Sequence, residues 1–138
     1  MLGNPVKDCL CGTGYGSWGR KGKNLLNEIF FYRANKDKMN PEKLRVFMRE
    51  LELEYDILDK NFQELSGGEK QRIGILITFL LNRDIYLLDE ITSALDVNLK
   101  KKVADYFLAR EDWTILEISH DREWYRDWVE IIDLGNKS

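Results

Sequence analysis

Asp84-Ile85-Tyr86-Leu87-Leu88-Asp89-Glu90 is a short apolar run that ends on two carboxylates. A continuous apolar stretch of this length, bounded by charge, predicts a strand buried on both faces. Downstream, Val97 to Arg110 carries Val103, Tyr106 and Phe107 on one side of a helix, and Trp113-Thr114-Ile115-Leu116-Glu117-Ile118-Ser119 reads as a second strand. Strand, helix and strand at this spacing make the parallel crossover unit of α/β folds, whose functional residues gather beyond the carboxyl ends of the strands. The residues at those ends are Asp89 with Glu90, and His120. Beyond them the pattern predicts a short helix over Asp121 to Trp128 and a third strand over Val129 to Leu134, closed by Gly135.

Upstream of the run the periodicity is helical. Glu69 to Asn82 predicts a helix with a strongly apolar back half. Leu25, Leu26, Ile29 and Phe30 fall on one face of an earlier helix. After a turn at Asn35 to Lys38, Asn40 can cap a further helix with Pro41 at its first position, and Leu44, Phe47, Met48 and Leu51 form its apolar stripe. Residues 25–82 therefore read as a helical subdomain and residues 83–138 as the strand-bearing part. Residues 1–24 differ from both: Gly3, Gly12, Gly14, Gly16, Gly19 and Gly22 fall in a stretch without apolar periodicity, which predicts an irregular leader.

Composition narrows the function classes. The chain has 138 residues, 43% hydrophobic and 33% charged, which suits one globular domain. Four Trp, six Tyr and six Phe exclude a solvated, disordered polyelectrolyte. A formal net charge of -3 supplies no field for binding nucleic acid by counterion release, so nucleic acid is not an expected partner. The longest apolar stretch, Ile73 to Leu81, is about half of what a membrane-spanning helix requires. The start Met1-Leu2-Gly3-Asn4-Pro5 has neither the basic region nor the apolar core of a secretory signal, and a cytoplasmic location is expected. Cys9 and Cys11 lie too close together to staple a fold and have one distant histidine for company, so reduced thiols are expected rather than a zinc site.

Leu65-Ser66-Gly67-Gly68-Glu69-Lys70-Gln71-Arg72 has chemical content of its own. Two glycines allow close backbone approach to a ligand, and the free amides at the start of the following helix suit a phosphate, with the Ser66 hydroxyl as a further donor. The same residues also read as an ordinary helix entry, in which Ser66 and Glu69 form a capping box. Asp89 and Glu90 are likewise either a catalytic pair or a solvated strand end, and His120 either a phosphate sensor or a surface histidine. A helix N-cap explains Asp96 as well as a functional role does.

The Leu65 to Arg72 string resembles the signature motif of the ATP-binding cassette (ABC) ATPases, and the resemblance continues in that family's order. Ile85 to Leu88 with Asp89-Glu90 resembles the Walker B motif, Ser93-Ala94-Leu95-Asp96 the D-loop, and His120 the switch histidine. Asp84 to Asp96, with Ile91 where many members have proline, is also similar to bacterial ATPases assigned to iron export. The resemblance covers residues 25–138, the second part of a cassette. It implies an α/β fold: a partial P-loop NTPase (RecA-like) core with parallel strands, plus the helical signature subdomain.

The resemblance also implies roles, with ATP and Mg2+ as cofactors. Glu90 orients or deprotonates the attacking water, His120 senses the terminal phosphate, and Asp89 holds Mg2+ through its water shell. Ser66, Gly67, Gly68 and Glu69 belong to the surface that closes over a nucleotide held by the opposite subunit, and Asp96 belongs to the same seam. The expected partners are a second ABC ATPase subunit or a missing N-terminal half, and a transmembrane permease that brings the assembly to the inner face of the membrane. A non-catalytic partner cassette that only lends its signature surface is the alternative, and an ABC ATPase of chromosome maintenance or translation is another. Chromosome-type members need long coiled coils, and no sustained heptad occurs here. Walker A is missing: Ser17-Trp18-Gly19-Arg20-Lys21-Gly22-Lys23-Asn24 lacks the first glycine and the final hydroxyl, and no glutamine precedes Gln63 to serve as a Q-loop. The chain alone is therefore expected to be inactive. In the family's sheet the strand before Walker A lies beside the switch-histidine strand. Without it, Trp113 to Ser119 is expected either to be closed by Val129 to Leu134 or to pair with another copy, giving a homodimer unlike the nucleotide sandwich.

Overall fold

The computed structural model describes residues 21–32, 35 and 39–132. Cys9, Cys11, nearly all of the glycine-rich leader, Ser17 to Arg20, and the end of the expected third strand with Gly135 lie outside the described residues. Helix α1 spans Gly22–Phe31 and buries Leu26 and Phe30, the face its periodicity predicts. Its first residue packs tightly: a Cβ on Gly22 would lie 3.2 Å from the Leu58 backbone. Helix α2, Pro41–Glu50, starts as predicted, with Asn40 accepting from the amides of Glu42 and Lys43 and proline at the first position. Its end carries a Glu52 in the left-handed region, and Arg72 donates to the carbonyls of Leu51 and Glu52 that the helix leaves over.

Helix α3 runs Gly67–Leu81. Residues 75–81 are buried on every side, which makes this helix the centre of the molecule rather than a surface element. It ends on Asn82 in the left-handed conformation, a residue type that tolerates it. Strand β1, Ile85–Asp89, then pairs in parallel with β2, Thr114–Ile118, through helix α4, Val97–Leu108, as the strand, helix, strand order predicts. The register sets Leu87 beside Leu116 and Leu88 beside Glu117. Tyr86 packs on Phe107 and Trp113, and Phe107 reaches Trp124. One apolar core continues from Leu26 in α1 to Trp124. No helix among the described residues is long and apolar enough to cross a membrane.

Three expectations need correction. Strand β1 is buried on one face only: Tyr86 and Leu88 turn inward while Ile85, Leu87 and Asp89 are exposed. Apolar composition cannot separate a strand covered on both sides from one whose outer face stays open. The helix over Asp121 to Trp128 shrinks to a 3-10 turn at Arg122–Trp124, because the Asp121 and Trp124 side chains are drawn into a network described below instead of following a helical repeat. Val129 to Ile132 is not a strand, and among the described residues the sheet has two strands, so this segment does not close onto β2.

Candidate functional site

Three segments meet at the carboxyl ends of β1 and β2: the start of α3, the turn after β1, and the loop after β2. At the start of α3 the Ser66 amide donates to Glu69 Oε2 at 2.7 Å, and the Glu69 amide donates to Ser66 Oγ at 3.2 Å. The capping box is thus formed, and the backbone and hydroxyl bonds of Ser66 hold the Glu69 carboxyl below its usual pKa. The Lys70 amide is taken by the Ser66 carbonyl. This leaves the amides of Gly67 and Gly68 without a partner among the described residues. A Cβ on Gly67 would meet nothing within 4 Å, whereas one on Gly68 would lie 3.3 Å from the Ala94 carbonyl oxygen. Gly67 is open to an incoming group, and Gly68 serves packing inside the chain.

The turn after β1 begins with Glu90 at φ 51, a left-handed conformation that costs a non-glycine residue roughly 1–2 kcal/mol. Its amide donates to the Ile118 carbonyl at 2.9 Å and so extends the strand ladder. Its side chain lies beside His120, with Nε2 3.7 Å from Oε1, and the His120 side chain is 98% exposed. Asp89 is the exposed last residue of β1. The structure therefore brings Asp89, Glu90 and His120 to one end of the strand pair. Asp96 caps α4 through Asn98 and Leu99, as its alternative reading predicts. No hydrogen bond links Ser66, Glu69 or Asp96 to Glu90 or His120 among the described residues.

Four polar residues that sequence patterns did not single out hold this end together. Gln71 Nε2 donates to the Glu90 carbonyl at 2.9 Å and to Ser93 Oγ at 3.2 Å, and Gln71 Oε1 accepts from the Ala94 amide at 2.8 Å. Buried Thr92 donates to Asp121 Oδ2 at 2.7 Å and accepts from Trp124 Nε1 at 3.3 Å, while Lys100 Nζ donates to Asp121 Oδ1 at 2.6 Å. Burial pushes the Asp121 carboxyl up, but its bonds from Lys100 and Thr92 prevail and hold it below its ordinary value. Glu117 is the opposite case. Both of its oxygens are buried without a hydrogen-bond partner, and burial, reinforced by Glu90, Asp121 and Asp89, pushes its pKa up to about 8. A carboxylate in the middle of an apolar strand was the available signal for Glu117.

Among the described residues no three His, Cys, Asp or Glu side chains converge into a metal cage. Asp89 and Glu90 nonetheless offer oxygen donors, and the repulsion felt at Glu117 marks an excess of negative charge at this end. Such a donor set fits a hard cation such as Mg2+ that keeps most of its waters and takes further oxygens from a phosphate. The open approach at Gly67, with two unpartnered amides, fits a phosphate-bearing ligand such as ATP.

Comparison with known proteins identifies the family. The chain is 32% identical over 114 residues to an ABC transporter ATP-binding protein of Clostridium tetani, covering 81% of this chain and 26% of that protein. It is 35% identical over 111 residues to FetA of Escherichia coli, a protein named for iron export, covering 78% of this chain and 49% of the relative. The similarity to iron-export-type members is thus found, and the chain spans half or less of the length of these relatives. The archaeal ribosome recycling factor aABCE1, solved in complex with a ribosomal stalk protein, superposes with a TM-score of 0.57 at 32% identity, covering 75% of this chain and 18% of that one. The sequence model described as ABC transporter matches residues 16–93, more than half of the chain, which therefore belongs to the ABC transporter family as part of its ATP-binding domain.

Proposed function

We propose that the chain is the second part of a nucleotide cassette that couples ATP hydrolysis to transport. In this reading it works in the cytoplasm, peripheral to the inner face of the membrane, with a transmembrane permease and a second cassette. The observation that carries the reading is the pairing of His120 with Glu90 at 3.7 Å, on a turn that the signature helix also holds through Gln71. Glu90 orients the attacking water and takes its proton, and His120 meets the terminal phosphate. Asp89 would hold Mg2+, and the ion, when bound, would neutralise phosphate charge. Ser66, Gly67 and Gly68, fixed in place by Glu69, close over the nucleotide of the opposing cassette, with Asp96 on the same seam. The relatives named as ATP-binding proteins support ATP hydrolysis as the activity of this reading.

A cassette that only lends its signature surface has no use for the Glu90 and His120 pair, so one variant separates the two readings. In the complete cassette Glu90→Gln is expected to lower ATP turnover by at least about a hundredfold while binding of magnesium ATP persists, because the amide cannot accept the water's proton. Near-normal turnover would remove Glu90 from this role.

A further inference from the structure

We propose that Gln71 is a positioning residue for Glu90: its side-chain amide ties the signature end of α3 to the turn that presents the Glu90 carboxylate, so that displacement of one moves the other. The inference rests on the reading of Glu90 given above. Glu90 occupies a conformation that only its surroundings sustain, at φ 51, and it is held from two sides. Its amide is bound by the Ile118 carbonyl of β2 at 2.9 Å. Its carbonyl accepts from Gln71 Nε2 at 2.9 Å and from the Ser93 amide at 3.2 Å.

Gln71 uses both ends of one amide on this turn, as donor to Glu90 and Ser93 and as acceptor from the Ala94 amide at 2.8 Å. A carboxylate at position 71 could keep only the acceptor half, and a hydrocarbon neither. A second contact runs alongside, since a Cβ on Gly68 would already crowd the Ala94 carbonyl at 3.3 Å. Ser66 and Gln71 belong to the same capped helix, about 7–8 Å apart along its axis, so the first turn of α3 and the amide clamp move as one body.

The test uses the full chain, labelled with 15N, and no nucleotide. Gln71→Leu is expected to speed exchange of the Ala94 amide by about tenfold and to shift the Glu90 amide and the His120 ring signal, while the Leu88 and Ile115 amides keep their rates. His120 is the only histidine in the sequence, so its ring signal is unambiguous. Gln71→Glu is expected to keep Ala94 protected yet still shift Glu90, which splits the two halves of the clamp. Arg72→Leu is the control for a merely structural role: it removes the bonds to the Leu51 and Glu52 carbonyls and is expected to lower thermal stability without moving Glu90 or His120. The proposal is overturned if Glu90 and His120 keep their wild-type signals in the Gln71 variants, or if Arg72→Leu shifts them equally. Should Gln71→Leu not fold, Gln71→Glu decides alone, since an unmoved Glu90 there is equally fatal. Failure here leaves the role of Glu90 itself to the turnover of Glu90→Gln.

Discussion

Leu87 and Leu88 are neighbours on β1 with opposite fates: Leu88 is 2% exposed and Leu87 43%. The division extends to the whole strand pair. On one face Tyr86 packs on Phe107 and Trp113 and Leu88 joins the same buried core, whereas on the other Ile85, Leu87, Leu116 and Ile118 are exposed among the described residues. Burial on one side supplies the stability of the pair, because side chains left in water gain no transfer free energy. The carboxyl end of the same strands is held differently, by hydrogen bonds from Gln71, Thr92, Lys100 and Trp124. Fold and site thus draw on separate sources, one apolar and confined to a single face, the other polar and confined to one end.

The largest expected effect breaks the covered face. Leu88→Ala deletes a fully enclosed side chain, and a close-packed core relaxes only partly around the gap. A loss of about 3 kcal/mol is expected in urea unfolding of the chain. A loss below about 1 kcal/mol would mean that this face is not the core of the pair.

Glu117 lies on the covered face and is the exception to its apolar character. With a folded pKa of about 8 against an ordinary 4.5, the native state holds a proton that the unfolded chain releases between those values. Stability is therefore expected to fall as pH rises from about 4.5 to about 8, and to level off above that. Glu117→Gln removes the titration, so the variant should match the wild type near pH 4.5 and exceed it by several kcal/mol, at most about 4–5, at pH 8.5. Parallel stability profiles for the two proteins across that range would show that Glu117 ionises freely in the fold.

Helices and strands were legible in the sequence wherever one side chain repeats with one period. Leu26 with Phe30, Leu44 with Met48, and the Asn40-Pro41 start needed only local rules, and each element forms where its pattern lies. The strings that resemble the signature and Walker B motifs stood out for the same reason, being short and contiguous. The bonds between them were not. Gln71 meets Ala94 across 23 residues and Thr92 meets Asp121 across 29, and nothing in the local composition of either segment encodes its partner. The open face of β1 escaped for a related reason: Ile85-Tyr86-Leu87-Leu88 has no polar alternation to announce it. The stretch after Trp124 misled because Val129, Ile131 and Ile132 have strand composition, yet the structure supplies no neighbour for them to pair with among the described residues.

The smallest expected effect sharpens the contrast between the faces. Leu87→Ala and Leu116→Ala each remove a side chain that is about half in water, so each should cost no more than about 0.5–1 kcal/mol, well below Leu88→Ala. The two residues are partners in the parallel register, directly beside one another on the open face. Their contact should therefore appear as a coupling of ~0.2–1 kcal/mol in a double-mutant cycle, the usual size for a cross-strand pair. Urea unfolding of the two single variants and the double variant measures all three quantities in one set of experiments. A cost of 2 kcal/mol or more for either single change, at the scale of a buried leucine, would mean that the face is covered in solution. The one-sided account of the strand pair would then fail, because the outer leucines would be contributing to a core of their own.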